Sequence, residues 1–123
     1  FPEGGSWAQV LRPPRPGTAF LAWRTKAQIL PVGLDNFLGF FQRVKFGQKV
    51  KVKVKFGKPF GPVAAQDGTR PGREELDKIG HDIMRQISYL LPAERQGFYS
   101  PDPAIREAAR GTEIYPWATI AES

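Results

Sequence analysis

The segment KVKVKVKF, Lys49 to Phe56, alternates a lysine with an apolar residue at every step. A period of two is the signature of a β-strand, since successive side chains of a strand point to opposite faces. The alternation predicts Val50, Val52, Val54 and Phe56 on one face and Lys49, Lys51, Lys53 and Lys55 on the other. GKPFGP ends the strand, and residues 61–72 read as a loop punctuated by Gly and Pro.

Arg73 to Leu91 reads as an amphipathic helix. Leu76, Ile79, Ile83, Ile87 and Leu90 recur at helical spacing and form one apolar stripe. Glu74, Glu75 and Asp77 fall in the first turns, where the helix dipole favours acids, and Pro92 stops the element. Upstream, LRPPRP (Leu11 to Pro16) excludes regular structure. Gly17 to Ala27 then reads as a short helix started by Pro16 and Gly17-Thr18, with Phe20, Leu21 and Trp23 on its apolar side. QILPVGL, Gln28 to Leu34, reads as a short buried strand. This order of loop, helix and strand predicts the second part of a βαβ unit, whose first strand ends just before Phe1. Residues 35–47 are expected to be an irregular aromatic connection. Residues 100–123 carry little pattern beyond a short helix near Ala104 to Arg110, and no repeat is present.

The 123 residues suit one domain, and 41% hydrophobic with 24% charged content is that of an ordinary globular chain. Without cysteine there is no disulfide framework and no thiolate chemistry. The densest apolar run, Phe37-Leu38-Gly39-Phe40-Phe41, falls far short of the roughly 20 residues of a spanning helix. The chain starts at Phe1 without a methionine, which reads as a fragment. The net charge of +6 divides into +9 over residues 1–63 and −3 over residues 64–123. A basic half points to an anionic partner: nucleic acid, membrane headgroups or a phosphorylated small molecule.

Few residues suggest chemistry by themselves. His81 is the single histidine and has no neighbouring motif, so a solvated or half-buried position is its first reading, and a zinc site is disfavoured. The lysine ladder reads first as protection of an exposed sheet face and second as a phosphate-binding surface. Arg43, Lys45 and Lys58 extend it and keep a membrane-surface role open. Phe37, Phe40, Phe41 and Phe46 read first as core packing beneath a loop, and second as a wedge that dips into lipid. The opening FPEGGSW has a carboxylate, Glu3, beside Gly4 and Gly5, where a ligand can approach the backbone closely. Glu3 can accept hydrogen bonds from substrate hydroxyls, and Arg12 and Arg15 can hold a phosphate. A plain Gly-rich turn with a capping glutamate accounts for the same residues.

Taken in order, FPEG (Phe1 to Gly4), RPG (Arg15 to Gly17) opening an Ala-rich helix, ILPVG (Ile29 to Gly33), VKVKFGKPF (Val52 to Phe60) and ELDKIGHDIMRQISYLLPAERQGFY (Glu75 to Tyr99) resemble the second half of the glycerophospholipid acyltransferase family. That family includes the 1-acyl-glycerol-3-phosphate acyltransferases, and the resemblance covers roughly residues 1–99. It implies an α/β fold, the C-terminal part of the acyltransferase domain, with a mixed sheet flanked by helices. Residues 1–63 are then the C-terminal half of that domain, 64–99 a loop and amphipathic C-terminal helix, and 100–123 a tail. The implied reaction moves an acyl group from acyl-CoA or acyl carrier protein to a hydroxyl of a glycerol phosphate or lysophospholipid acceptor, in phospholipid biosynthesis.

The family's His-x4-Asp pair, which handles the proton, is missing: His81 is followed five places later by Gln86. The resemblance puts that pair before Phe1, so no catalytic residue is expected in this chain and it is expected to be inactive alone. Glu3 and Gly4 match the acceptor block, while Leu30, Pro31 and Val32 match the block that shapes the catalytic or acyl pocket. Gly5-Ser6-Trp7 replaces the family's Thr-Arg-Ser, which removes its phosphate-binding arginine and leaves Arg12 or Arg15 as substitutes. Neither a metal nor a resident cofactor is implied. The expected partners are the acyl donor, the acceptor and a membrane surface at its cytoplasmic side, without nucleic acid. Two other readings are a basic module binding nucleic acid or anionic membrane, and a catalytically dead relative that accompanies an active acyltransferase. Extending the reading frame upstream of Phe1 is expected to reveal His-x4-Asp; a frame without it overturns the active-enzyme reading.

Overall fold

Leu11 is the hinge point of the architecture because both of its backbone groups are used in a long-range contact. Its N–H donates to the Arg95 carbonyl at 3.0 Å, and its carbonyl accepts from Phe98 N–H at 3.5 Å. The first residues are thereby stitched to the turns that follow the longest described helix. The computed structural model describes residues 2–4, 8–64 and 68–112. Their elements run α1 (Pro16–Thr25), β1 (Val32–Asp35), α2 (Phe40–Lys45), β2 (Lys53–Phe56), α3 (Arg73–Ser88) and α4 (Pro103–Ala108), with 3-10 turns at Ala93–Arg95 and Gly97–Tyr99.

The helix at 17–27 and the helix at 73–91 are present close to their expected bounds. α1 starts with Pro16 at its first positions and ends on Lys26 in the left-handed conformation, whose N–H donates to Ala22 O at 3.1 Å. It packs on α3 through Ala19 and Ala22, both buried, whose small side chains let the helices approach closely. The buried side of α3 is Gly80, Ile83, Met84 and Ser88. That face is turned from the expected stripe, leaving Leu76, Ile79, Ile87 and Leu90 half-buried. Gly80 explains the turn, because a Cβ there would lie 2.8 Å from Pro14 Cγ. The rigid Pro13-Pro14 segment lies against the helix where only a glycine fits. Asp102 starts α4 by accepting from Ala104 N–H at 2.9 Å.

The strands are shorter than the alternation suggests. β1 pairs antiparallel with β2, Val32 opposite Phe56 and Asp35 opposite Lys53. Beyond them Ile29 and Phe60 exchange two backbone hydrogen bonds, of 2.8 and 2.9 Å. Between these two pairings, three residues on the Phe60 side face two on the Ile29 side, which is the count of a β-bulge. Among the described residues the sheet has these two strands, and the domain is a small mixed α/β unit. All four residues of β2 are exposed, the valine face included: Val54 is 46% exposed and Phe56 68%. The ribbon thus leaves the Val54 and Phe56 end of that face in solvent, while Val50 and Val52 ahead of it are half-buried. The reading of QILPVGL as a short buried strand is corrected. Pro31 and Gly33 are buried, Leu30 is exposed, and the strand continues to Asp35. The aromatic connection also contains an unexpected helix, α2.

What holds the ribbon to the domain is Leu90, just past α3. A Cβ at Gly33 would lie 2.7 Å from Leu90 Cβ and 3.2 Å from its carbonyl oxygen; one at Gly57 would meet Pro31 and Leu90. A two-stranded ribbon is marginal alone, so this close approach is its main support. No described helix is long and apolar enough to cross a membrane. Gly33→Ala is expected to lower stability by about 1–3 kcal/mol through overpacking. Gly17→Ala, with open space around it, should be neutral or stabilise by up to about 1 kcal/mol. Chemical denaturation of the two variants checks the contrast.

Candidate functional site

An open cleft of about 740 Å³ lies between the N-terminal segment, the end of β1, α2 and the turn after α3. That volume is within the range of small-molecule sites. The polar part of its lining is Glu3, Gln9 and Arg12 from the first residues, Asp35 and Asn36 from the end of β1, Gln42 and Arg43 from α2, and Arg95 from the turn after α3. The apolar part includes Val10, Leu11, Leu34, Leu38 and Leu91 with Phe37, Phe40 and Phe41.

The polar wall begins with the opening loop. Arg15 N–H donates to Pro2 O at 2.8 Å, and Arg12 N–H donates to Glu3 Oε2 at 3.2 Å. The Pro-rich stretch, which can form neither helix nor ladder, thus spends its free N–H groups on holding Pro2 to Gly4 in place. Burial raises the Glu3 carboxyl above its ordinary value. The Arg12 N–H, and then the Arg12 charge, oppose that shift without cancelling it. Arg12 is 2% exposed. Burial draws its guanidinium down, the Glu3 charge raises it, and Arg15 lowers it; an arginine remains a cation throughout.

Behind Glu3 lies a pair that the sequence did not announce. His81 Nδ1 and Tyr99 Oη are 2.8 Å apart, with the rings 5.9 Å between centroids. Burial drives the Tyr99 hydroxyl upward; Arg85 opposes this and Glu3 reinforces it. The lone histidine is half-buried, as its first reading held, but a phenol partners it.

Arg95 closes the polar wall. Its Nε lies 3.3 Å from Asp35 Oδ1, and its Nη1 donates to Gln9 Oε1 at 3.1 Å. On the aromatic side, Arg43 locks the loop that carries the rings. It donates to Asn36 O at 3.1 Å, to Asn36 Oδ1 at 3.3 Å and to Leu38 O at 2.8 Å. Phe40 stacks on Phe37 with centroids 5.7 Å apart and meets Phe41 edge-on at 5.4 Å.

Of the residues singled out in the sequence, Glu3 and Arg12 line the cleft together. Gly4 and Arg15 are exposed and lie outside its lining, as do Leu30, Pro31 and Val32. The ILPV stretch reaches the cleft only through its continuation, Leu34 and Asp35. Gly5, Ser6 and Trp7 lie outside the described residues. Among the four phenylalanines, Phe37, Phe41 and Phe46 are exposed and only Phe40 is half-buried, so the reading of this cluster as core is corrected. Asp35, Asn36 and Arg95 were not foreseen as site residues, and Arg43, read as an extension of the basic patch, lines the cleft as well. The run AERQGFY contains Arg95, yet nothing in it shows that the guanidinium turns back to residues 9 and 35.

The sign of the Glu3 shift gives a pH test. A carboxyl whose native value is raised binds its proton more tightly in the folded state, so stability falls as pH climbs between the unfolded and native values. Glu3→Gln keeps an acceptor for Arg12 N–H and removes the buried charge. It is expected to raise Tm at pH 7, with the gain shrinking as pH falls toward the ordinary carboxylate value of about 4 and absent below it. A lower Tm at pH 7 that recovers in acid is the opposite result.

Compared with known protein families, with curated proteins and with solved structures, the chain gives no match.

Proposed function

We propose that the chain is the acceptor-binding part of an acyltransferase acting on a glycerophospholipid-type acceptor, with the finer fold of that family's C-terminal half. One observation carries the reading: a single cleft is lined both by a half-buried carboxylate with arginines and by a run of phenylalanines. A lysophospholipid has that same division, with a phosphate and free hydroxyl at one end and an acyl chain at the other. The order of the FPEG, RPG, ILPVG and LLP segments supports the reading independently.

In the proposed reaction the acceptor hydroxyl attacks the thioester carbonyl of acyl-CoA or acyl carrier protein. The C–S bond breaks, the thiol leaves, and the acyl group stays on the acceptor oxygen. Proton transfer belongs to the His-x4-Asp pair expected upstream. The chain's own residues bind and orient. Glu3 accepts a hydrogen bond from an acceptor hydroxyl, which its half-buried position makes stronger than an exposed contact. Arg12 and Arg95 supply positive potential for the phosphate, Arg95 taking the place expected of Arg15. Phe37, Phe40 and Phe41 receive the first methylenes of the acyl chain, each buried methylene contributing about 0.8 kcal/mol.

Calorimetric titration with a short-chain lysophosphatidate below its micelle concentration tests the reading. Saturable binding is expected, at least about tenfold tighter than that of glycerol 3-phosphate. Lack of binding, or equal affinity for the two, overturns it. In the full-length enzyme, Glu3→Gln should raise the acceptor KM about tenfold, the cost of one charge-assisted hydrogen bond. An unchanged acceptor KM and kcat removes Glu3 from the role.

A further inference from the structure

The aromatic wall does not stop at the cleft. Phe41, which lines it, is 84% exposed, and Phe46, one residue past α2, is 77% exposed. Val44 lies three residues from Phe41 on the same short helix and is 50% exposed. Together they make a protruding apolar ridge. Single exposed apolar residues are ordinary, but a cluster beside a binding cleft calls for an occupant.

The charge around the ridge identifies that occupant. From residue 36 to residue 64 the chain has seven lysines and arginines and no carboxylate. The lysine segment lies directly against the aromatic loop: Asn36 Nδ2 donates to Lys51 O at 2.7 Å, and Gln48 N–H donates to Arg43 O at 3.0 Å. Lys45, Lys49, Lys51 and Lys53 are all exposed. An apolar ridge bordered by flexible ammonium groups complements a bilayer whose surface is anionic, with rings entering the interface and lysines reaching the phosphates. Nucleic acid fits less well. Phe40 already uses the faces of its neighbours, stacked on Phe37 and edge-on to Phe41, and Val44 offers no plane for a base.

We propose that α2, Phe46 and the adjoining lysines form the docking face for an anionic phospholipid bilayer, and that the cleft beside it takes its acceptor from that layer. The second clause rests on the proposed function; the docking face stands without it. Because Phe41 belongs to both the exposed ridge and the cleft lining, and Phe37 beside it also lines the cleft, a lipid entering from the interface stays in contact with apolar side chains.

The test is co-sedimentation of the full chain with vesicles of phosphatidylcholine alone or mixed with phosphatidylglycerol. Binding is expected only to the anionic vesicles, weakening steeply with salt. Two variants lie outside the cleft lining. Lys49→Gln/Lys51→Gln/Lys53→Gln should weaken binding about a hundredfold, at roughly fivefold per lysine. Phe46→Ser should weaken it several-fold and leave a residual interaction that salt removes, with circular dichroism unchanged in both. Wild-type affinity in both variants overturns the proposal. So does equal binding to neutral vesicles, tighter binding to single-stranded RNA than to anionic vesicles, or a wild-type dimer that Phe46→Ser dissociates. The two readings separate through the monomeric lysophosphatidate titration. If only the docking face is wrong, that titration is retained while vesicle binding ignores the variants. If only the acyl-transfer reading is wrong, vesicle binding follows the variants and the titration is flat.

Discussion

Arg95 is the residue on which the rest of the arrangement depends. Its guanidinium meets Asp35 at the end of β1 and Gln9 in the N-terminal segment, while its backbone carbonyl accepts from Leu11 N–H. Two stretches far apart in sequence, residues 9–11 and the end of β1, therefore converge on one side chain and its own peptide group. An exposed ion pair contributes little to stability, since solvent screens it and side-chain ordering opposes it. This one is partly shielded, with Asp35 at 18% side-chain exposure, and it acts beside two backbone bonds. Its larger effect is on geometry: without it neither the polar wall nor the floor of the cleft has a fixed position. Gly97 completes the junction, because a Cβ there would collide with the Leu11 carbonyl oxygen.

Local chemistry made the helices legible. Pro16 and Gly17-Thr18 announced α1, the isoleucine spacing announced α3, and the Asp102-Pro103 pair gave α4 a cap within the expected region. The strands were legible as elements but not as surfaces. Alternation specifies which residues share a face; it does not say what covers that face, and here the ribbon rests on Leu90 through two glycines rather than through its valines. The rotated face of α3 has the same origin. Hydrophobicity favoured Leu76 and Ile79, but the close fit of Pro14 on Gly80 decided which side turned inward. α2 was hidden because six residues are too few for a periodic signal.

The candidate site was half legible for a related reason. Glu3 and Arg12 lie nine residues apart and are joined by a local hydrogen bond, within reach of sequence reasoning. Gln9 and Arg95 are separated by 86 positions, and Asp35 and Arg95 by 60. No composition or spacing argument reports such a pairing. The same holds for His81 and Tyr99, which lie one element apart and meet only because the turns after α3 fold back. Arg15, which the sequence offered on equal terms with Arg12, is turned outward at the first turn of α1.

The way Arg43 is used has a consequence for affinity. Its guanidinium donates only to residues 36–38 of its own loop among the described residues, and Asn36 in turn holds Lys51. The aromatic loop is thus ordered by its own contacts, before anything touches it. Immobilising a loop and its side chains on binding ordinarily subtracts from affinity, at about 0.5–1.5 kcal/mol for each rotamer-rich side chain. For Arg43 and Asn36 that cost is met in the free protein, so a greasy ligand that settles on this loop does not have to order them again.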